Sequence, residues 1–203
     1  MTTKNYRYLA LGDSYTIGEG VPIHESFPYI IVQMLRQKGF AFCAPEIVAK
    51  TGWTTGELIE HINQTKLLEQ YDFATLLIGV NNQYRNLSPE DYKRELSFLI
   101  QEALLLVSDR VKNLVVLSIP HWQLTPFAKG RDTNTIEQEI NVFNSINKEI
   151  AKGASVGYID IAPGTKDVLS KPELVTSDQL HYAAIEHKRW ANAVVDYIIK
   201  AIE

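Results

Sequence analysis

Four short stretches of the chain carry groups that together can make and break a covalent bond. The first is Gly12-Asp13-Ser14. A serine hydroxyl is a poor nucleophile until a neighbouring base takes its proton, and it must also stand clear of the backbone that carries it. Gly12 before it, and Gly18 and Gly20 after it, permit the tight backbone paths such a turn needs. The second stretch is Asp178-Gln179-Leu180-His181, where a carboxylate and an imidazole sit three positions apart. That spacing fits one turn of chain, so Asp178 can hold Nδ1–H of His181 while Nε2 faces the serine. A carboxylate there fixes the tautomer and stabilises the imidazolium that forms. The third requirement is a set of donors for the charge that develops on an attacked carbonyl oxygen. The Ser14 amide, the unobstructed Gly52 amide in Lys50-Thr51-Gly52-Trp53 and the side-chain amide of Asn81 are the candidates. Read singly, each piece has a plainer use. Asp13 or Ser14 can cap a turn or helix, Ser177 or Asp178 can cap the last helix, and Gly52 and Asn81 are ordinary turn residues. Read together, they describe nucleophilic acyl transfer. A histidine base works only when neutral, so activity is expected to fall on acidification.

The elements that must position these residues follow a repeating punctuation of apolar run, loop and longer helical segment. Strands are expected at Tyr6–Leu11, Glu46–Lys50, Phe73–Ile78, Leu114–Ile119 and Val156–Ile161. The third of these has no alternation of polar and apolar residues, as in a strand buried on both faces. Helices are expected at Ser26–Lys38, Thr54–Gln64, Ser88–Val107, Thr133–Ala151 and Ala183–Ile202. Their ends carry recognisable signals: Gly39 as a stop, Thr54 with Glu57 as a capping box, and Ser88 with Pro89 and two acids in the first turn. Five strands alternating with helices predict an α/β fold, a five-stranded parallel sheet between helical layers. Right-handed crossovers put every carboxyl end on one edge, where Gly12-Asp13-Ser14, Gly52 and Gly79-Val80-Asn81 should gather. No repeat or linker interrupts the pattern, and residues 1–203 read as a single domain.

In order along the chain, the serine, glycine, asparagine and histidine resemble the four blocks of the SGNH, or GDSL, hydrolase superfamily. Gly12-Asp13-Ser14 matches the first block, with Tyr15 replacing the leucine of the full signature. Gly52 matches the lone glycine of the second. Gly79-Val80-Asn81-Asn82 matches the third, usually G-x-N-D, and Asp178-Gln179-Leu180-His181 matches the last, D-x-x-H. The similarity runs from about residue 8 to about residue 190. Two departures stand out. Asn82 replaces a common aspartate and is expected to alter a supporting hydrogen bond; Tyr182 replaces a frequent proline and is expected to leave the approach to the last helix less rigid. The resemblance implies a flavodoxin-like, three-layer α/β/α domain, no metal or cofactor, and hydrolysis of esters or thioesters through an acyl-serine. It favours lysophospholipids, short acyl esters, aryl esters or acetylated sugars.

Ile17, Val21, Trp53, Tyr84, Trp122 and Phe127 lie on loops of the same edge and are expected to line an apolar acyl or aryl slot. Ordinary packing is the alternative for each. His121 is expected to border the pocket, whereas His24, His61 and His187 are expected on surfaces or loops. Other chemistry is excluded by composition. A net charge of −4 with scattered Lys and Arg writes no basic footprint for nucleic acid. The one cysteine, Cys43, cannot form an internal disulfide and, within Phe40-Ala41-Phe42-Cys43-Ala44, reads as a small buried hydrophobe. No paired Cys/His spacing suits zinc. No run reaches the roughly 18 apolar residues of a membrane span, and no signal peptide is evident in Met1 to Arg7, so a cytoplasmic protein acting on a small-molecule ester is expected. Two rivals remain: a flavodoxin-type module binding a phosphate at the loop after strand one, and a hydrolase fold reused for protein interaction.

Overall fold

The structure, a computed structural model, describes residues 4–203; residues 1–3, where the segment read for a leader begins, lie outside the described residues. In chain order the elements are β1 (Tyr8–Gly12), α1 (Ser14–Ile17), α2 (Phe27–Gln37), β2 (Glu46–Ala49), α3 (Thr55–Gln64), β3 (Phe73–Leu77), α4 (Val80–Tyr84), α5 (Pro89–Leu106), β4 (Leu114–Leu117), α6 (Thr133–Gly153), β5 (Gly157–Ile159), α7 (Ala162–Thr165) and α8 (Ala184–Ile202). The sheet is parallel throughout, with strand order β2-β1-β3-β4-β5. α2 packs with α8, and α5 packs with α3 and α6, so helices cover both faces. This is the expected three-layer, flavodoxin-like arrangement. Every residue of β1, β3 and β4 is buried, because a sheet covered on both faces has no wet side to which a polar residue could turn.

Three of the longer helices, α3, α5 and α6, begin at a side-chain cap, whereas α2 and α8 have none. Thr54 accepts from the Glu57 amide while the Glu57 carboxylate accepts from the Thr54 amide, which starts α3. The Ser88 hydroxyl accepts from the Glu90 and Asp91 amides to start α5. On α5, Tyr92, Leu96, Leu99, Ile100 and Ala103 form the inward stripe at helical spacing. β3 and β4 stop one and two residues short of the apolar runs that announced them, whereas β1 runs on to Gly12. Ile78 and Ile119 are fully buried yet lie beyond the ladder, since the chain turns there into loops that also sit under cover. No helix among the described residues is long and apolar enough to cross a membrane.

Two expectations about burial are corrected. Cys43 is exposed. Tyr6 and Phe42 form a parallel bridge just ahead of the sheet, and Phe42 points inward; alternation along extended chain then turns Cys43 outward. His187 is fully buried rather than superficial. It lies on α8 in register with Trp190, Ala191, Val194, Val195 and Ile198, the stripe that faces the core. Its Nδ1 accepts the Phe27 amide at 3.2 Å, so α2 begins against α8.

Candidate active site

β1 carries the chain to the sheet's carboxyl edge, where Asp13 caps the single turn of α1 by accepting the Tyr15 amide at 3.0 Å. The capping reading of this motif is therefore correct for Asp13, and the cap frees Ser14 to begin the turn with its hydroxyl facing a cavity. His181 Nε2 lies 2.9 Å from Ser14 Oγ. On the other side of the ring, His181 Nδ1 lies 2.6 Å from Asp178 Oδ2. With Nδ1–H donated to the carboxylate, Nε2 is left with a lone pair aimed at the serine.

Asp178 is held by more than the ring. Its Oδ1 accepts from the Thr176 hydroxyl at 2.8 Å and from the Leu180 and His181 amides at 2.8 and 2.9 Å. Burial pushes this carboxyl up, but the hydrogen bonds from the His181 ring, the two amides and Thr176 outweigh it and hold it at about 2. The turn between the two residues closes through Gln179, at φ 66°. Gly20, at φ 82°, lets the loop that follows Ser14 reach this turn: a Cβ there would lie 2.6 Å from Thr176 Oγ1.

The approach to α8 is firmly anchored, contrary to the expectation drawn from the missing proline. Tyr182 is fully buried, pairs with Val175 in an antiparallel bridge, and donates its phenol to the His121 carbonyl at 3.1 Å. The Thr176 amide donates to the His181 carbonyl at 2.8 Å. A β-bridge thus does here what a rigid ring does elsewhere.

Ser14, Gly52 and Asn81 line the same cavity as His181. The Ser14 and Gly52 amides have no protein acceptor among the described residues. Asn81 spends one Nδ2 hydrogen on the Trp53 carbonyl at 2.9 Å, which leaves the other available. The Gly52 turn is pinned from outside by Arg85, whose guanidinium donates to the Gly52 carbonyl and to Glu57. Asn82 accepts the Thr55 amide at 3.0 Å and donates to Thr55 Oγ1 at 2.6 Å, and Thr55 donates in turn to Glu95. An aspartate would reverse the middle bond; the asparagine keeps α3 tied to the Asn81 turn. Behind that turn Gly79, at φ 129°, admits the Tyr92 phenol, which a Cβ would meet at 2.5 Å. Tyr92 donates to the Ile78 carbonyl at 2.9 Å.

The cavity measures about 230 Å³. Of the aromatic residues expected to line it, the structure places Tyr84, Trp122 and Phe127 on its wall. Trp53 is elsewhere, its indole 4.6 Å from the His61 ring over a separate depression beside α3. Ile17 and Val21 are also not on the wall: Ile17 is the last residue of α1 and Val21 lies beyond its C-cap Gly18, past the end of the turn that begins at Ser14. His121 is buried behind the wall, its Nδ1 2.9 Å from Gln123 Nε2. Tyr15, Thr51, Val80 and Leu180 line the cavity without having been anticipated. Each adjoins a motif residue in sequence, and that adjacency was the available signal.

A hydroxyl, an imidazole and a carboxylate in one hydrogen-bonded row, beside unpaired amide donors, form the constellation that acyl-transferring hydrolases share across unrelated folds. Residues 10–188 match the GDSL-like lipase/acylhydrolase family, and the chain belongs to that family. Among curated proteins, an arylesterase from Vibrio mimicus is 26% identical over 177 residues, which is 86% of this chain and 79% of that protein. Among solved structures, a lipase/acylhydrolase from Enterococcus faecalis has a TM-score of 0.75 at 18% identity, with 95% of each chain covered. An acetylxylan esterase from Geobacillus stearothermophilus has a TM-score of 0.72 at 18% identity, covering 98% of this chain and 96% of that one. The resemblance read from the four motif blocks is borne out.

Proposed function

We propose that this protein hydrolyses carboxylic esters with small acyl or aryl groups, using Ser14 as nucleophile, His181 as base and Asp178 as the group that orients the base. The observation that carries the proposal is the continuous row Ser14 Oγ–His181 Nε2–Nδ1–Asp178 Oδ2, at 2.9 and 2.6 Å, opening on a cavity with unpaired donors. In the first step His181 takes the hydroxyl proton as Ser14 Oγ attacks the ester carbonyl. The charge on the tetrahedral oxygen falls to the Ser14 and Gly52 amides and the free Asn81 hydrogen. Protonated His181 then gives its proton to the departing alkoxide, leaving an acyl-serine and an alcohol. A water, deprotonated by His181, attacks that acyl-serine; collapse releases the carboxylic acid and returns the proton to Ser14. Asp178 remains ionised throughout, because its hydrogen bonds stabilise the charged form.

The aromatic wall of Tyr84, Trp122 and Phe127 supports aryl and compact acyl groups as the substrate class. The test is labelling by a fluorophosphonate together with a panel of p-nitrophenyl esters, an acyl thioester and acetylated xylan. Wild-type protein should label once and favour small p-nitrophenyl esters. Ser14→Ala should abolish labelling and lower turnover by at least about 10⁴-fold while leaving the melting temperature unchanged. Asn81→Ala should lower kcat by about 10²–10³-fold. Turnover confined to the thioester or the acetylated sugar would move the assignment to a thioesterase or O-deacetylase of the same fold. Absence of both labelling and turnover in folded protein would sink the catalytic reading.

A further inference from the structure

A second hollow of about 210 Å³ adjoins the active-site cavity. Tyr84 and Trp122 line both hollows, Phe127 lines only the first, and Arg131 only the second. Tyr84 and Trp122 are therefore a partition with a cavity on each side, and Phe127 abuts them from the first. Their ring centroids lie 5.5 Å apart for Tyr84 and Trp122, 6.3 Å for Tyr84 and Phe127, and 6.1 Å for Trp122 and Phe127. The Arg131 guanidinium lies over all three, at 5.2 Å from Tyr84, 5.5 Å from Trp122 and 5.1 Å from Phe127. It also donates to the Tyr84 phenol at 3.3 Å. The two carboxylates nearest it in the second hollow are otherwise engaged, Asp132 with Thr135 and Glu139 with Gln83.

The members of the partition are not equally fixed. Trp122 is 2% exposed and its indole N–H is tied to Gln83 Oε1 at 2.8 Å. Phe127 is itself 37% exposed, but its backbone is fastened, the amide donating to the Gln179 carbonyl in the turn that carries Asp178 and His181. Tyr84 is 42% exposed at the end of the short α4, and its phenol's hydrogen bond is the one from Arg131. Tyr84 is thus the movable leaf and Arg131 what holds it. Cation–π contacts at an exposed site are individually weak, so such a leaf can swing without unfolding anything.

We infer that Arg131 latches Tyr84 against Trp122 and Phe127, and that this latch confines the substrate group in the first hollow to short chains. This rests on the ester-hydrolase reading above and adds its specificity determinant. With the latch removed, the two hollows join into one longer slot, and esters with medium-length linear chains become substrates. Arg131 acts through the rings and touches no reacting atom, so it is a positioning residue.

The experiment compares wild type with Arg131→Ala, Arg131→Lys and Tyr84→Ala on two series. One runs from acetyl to decanoyl p-nitrophenyl esters and varies the acyl side; the other runs from ethyl to decyl acetate and varies the alcohol side. Wild type should favour the shortest members. In Arg131→Ala, kcat/KM for octanoyl relative to acetyl, or octyl relative to ethyl, should rise by about tenfold, with kcat on the shortest ester unchanged. Tyr84→Ala should shift the same series, and Arg131→Lys, which keeps a cation, should fall between. Circular dichroism and melting temperature identify variants that are folded. An unmoved chain-length profile in both folded alanine variants overturns the latch, as does a wild type that already prefers decanoyl. Failure of the parent reading looks different, because the wild type would then hydrolyse no member of either series and would not label with fluorophosphonate.

Discussion

At the scale of single residues, two buried groups pull on stability in opposite senses as pH changes. Burial raises the Asp13 carboxyl to about 7, and its Oδ2 has no hydrogen-bond partner. The folded chain therefore holds a proton that the unfolded chain releases, so this group's contribution to stability is lost as pH rises from about 4 to about 7. Burial lowers the His187 ring to about 4. There the unfolded chain binds the proton first, and stability is lost as pH falls from about 6.5 to about 4, by roughly 3 kcal/mol. The windows overlap and the slopes oppose each other. Asp13→Asn should therefore stabilise the protein at pH 8, on the order of 2 kcal/mol once the unpaired amide's burial is subtracted. The same variant should lose stability on mild acidification more steeply than wild type, read by urea midpoints across the range. His187→Asn should give the reverse slope. The catalytic candidates were legible because their chemistry fixes their residue types. His187 was misread because a histidine on an apolar helix face looks, letter by letter, like any other.

At the scale of elements, the turn bearing Gly52 is held on its carboxyl side by two groups. Thr54 caps α3 immediately after it, and Arg85, just past α4, grips its carbonyl. Arg85→Met frees that carbonyl and should lower kcat by about tenfold, less than the loss of a donor outright, because the amide remains but loses its aim. KM should change little, and steady-state kinetics separate the two parameters. Thr54→Ala should cost about 1 kcal/mol of stability by urea denaturation. The long helices could be read from the sequence because their caps and inward stripes are local signals, as Ser88, Thr54 and the α5 positions illustrate. The one-turn helices α1, α4 and α7 could not. Segments this short do not form from propensity; they exist because the sheet edge and neighbouring side chains hold them. The aromatic wall was legible in all but one of its four expected rings, and the miss has a related reason. Tyr84, Trp122 and Phe127 meet only in three dimensions, and nothing in the sequence sends Trp53 to His61 instead.

At the scale of the molecule, the alternation of strands and helices predicted a parallel sheet, and the strand order places Ser14 and Asn81 after β1 and β3, which neighbour each other at the point where chain direction across the sheet reverses. The local patterns carried the layers; the order of strands depends on contacts between distant segments and had no local signature. One consequence concerns the opposite edge. The exposed Cys43 lies just before the amino end of β2, whereas the cavity opens beyond the carboxyl ends. As the chain's single thiol, it is a handle for a maleimide-bearing bead or electrode, on which every copy would be tethered by its back with its mouth toward the solution. Immobilised this way, the protein should keep its solution kcat/KM to within about twofold, whereas coupling through its scattered lysines would orient it at random.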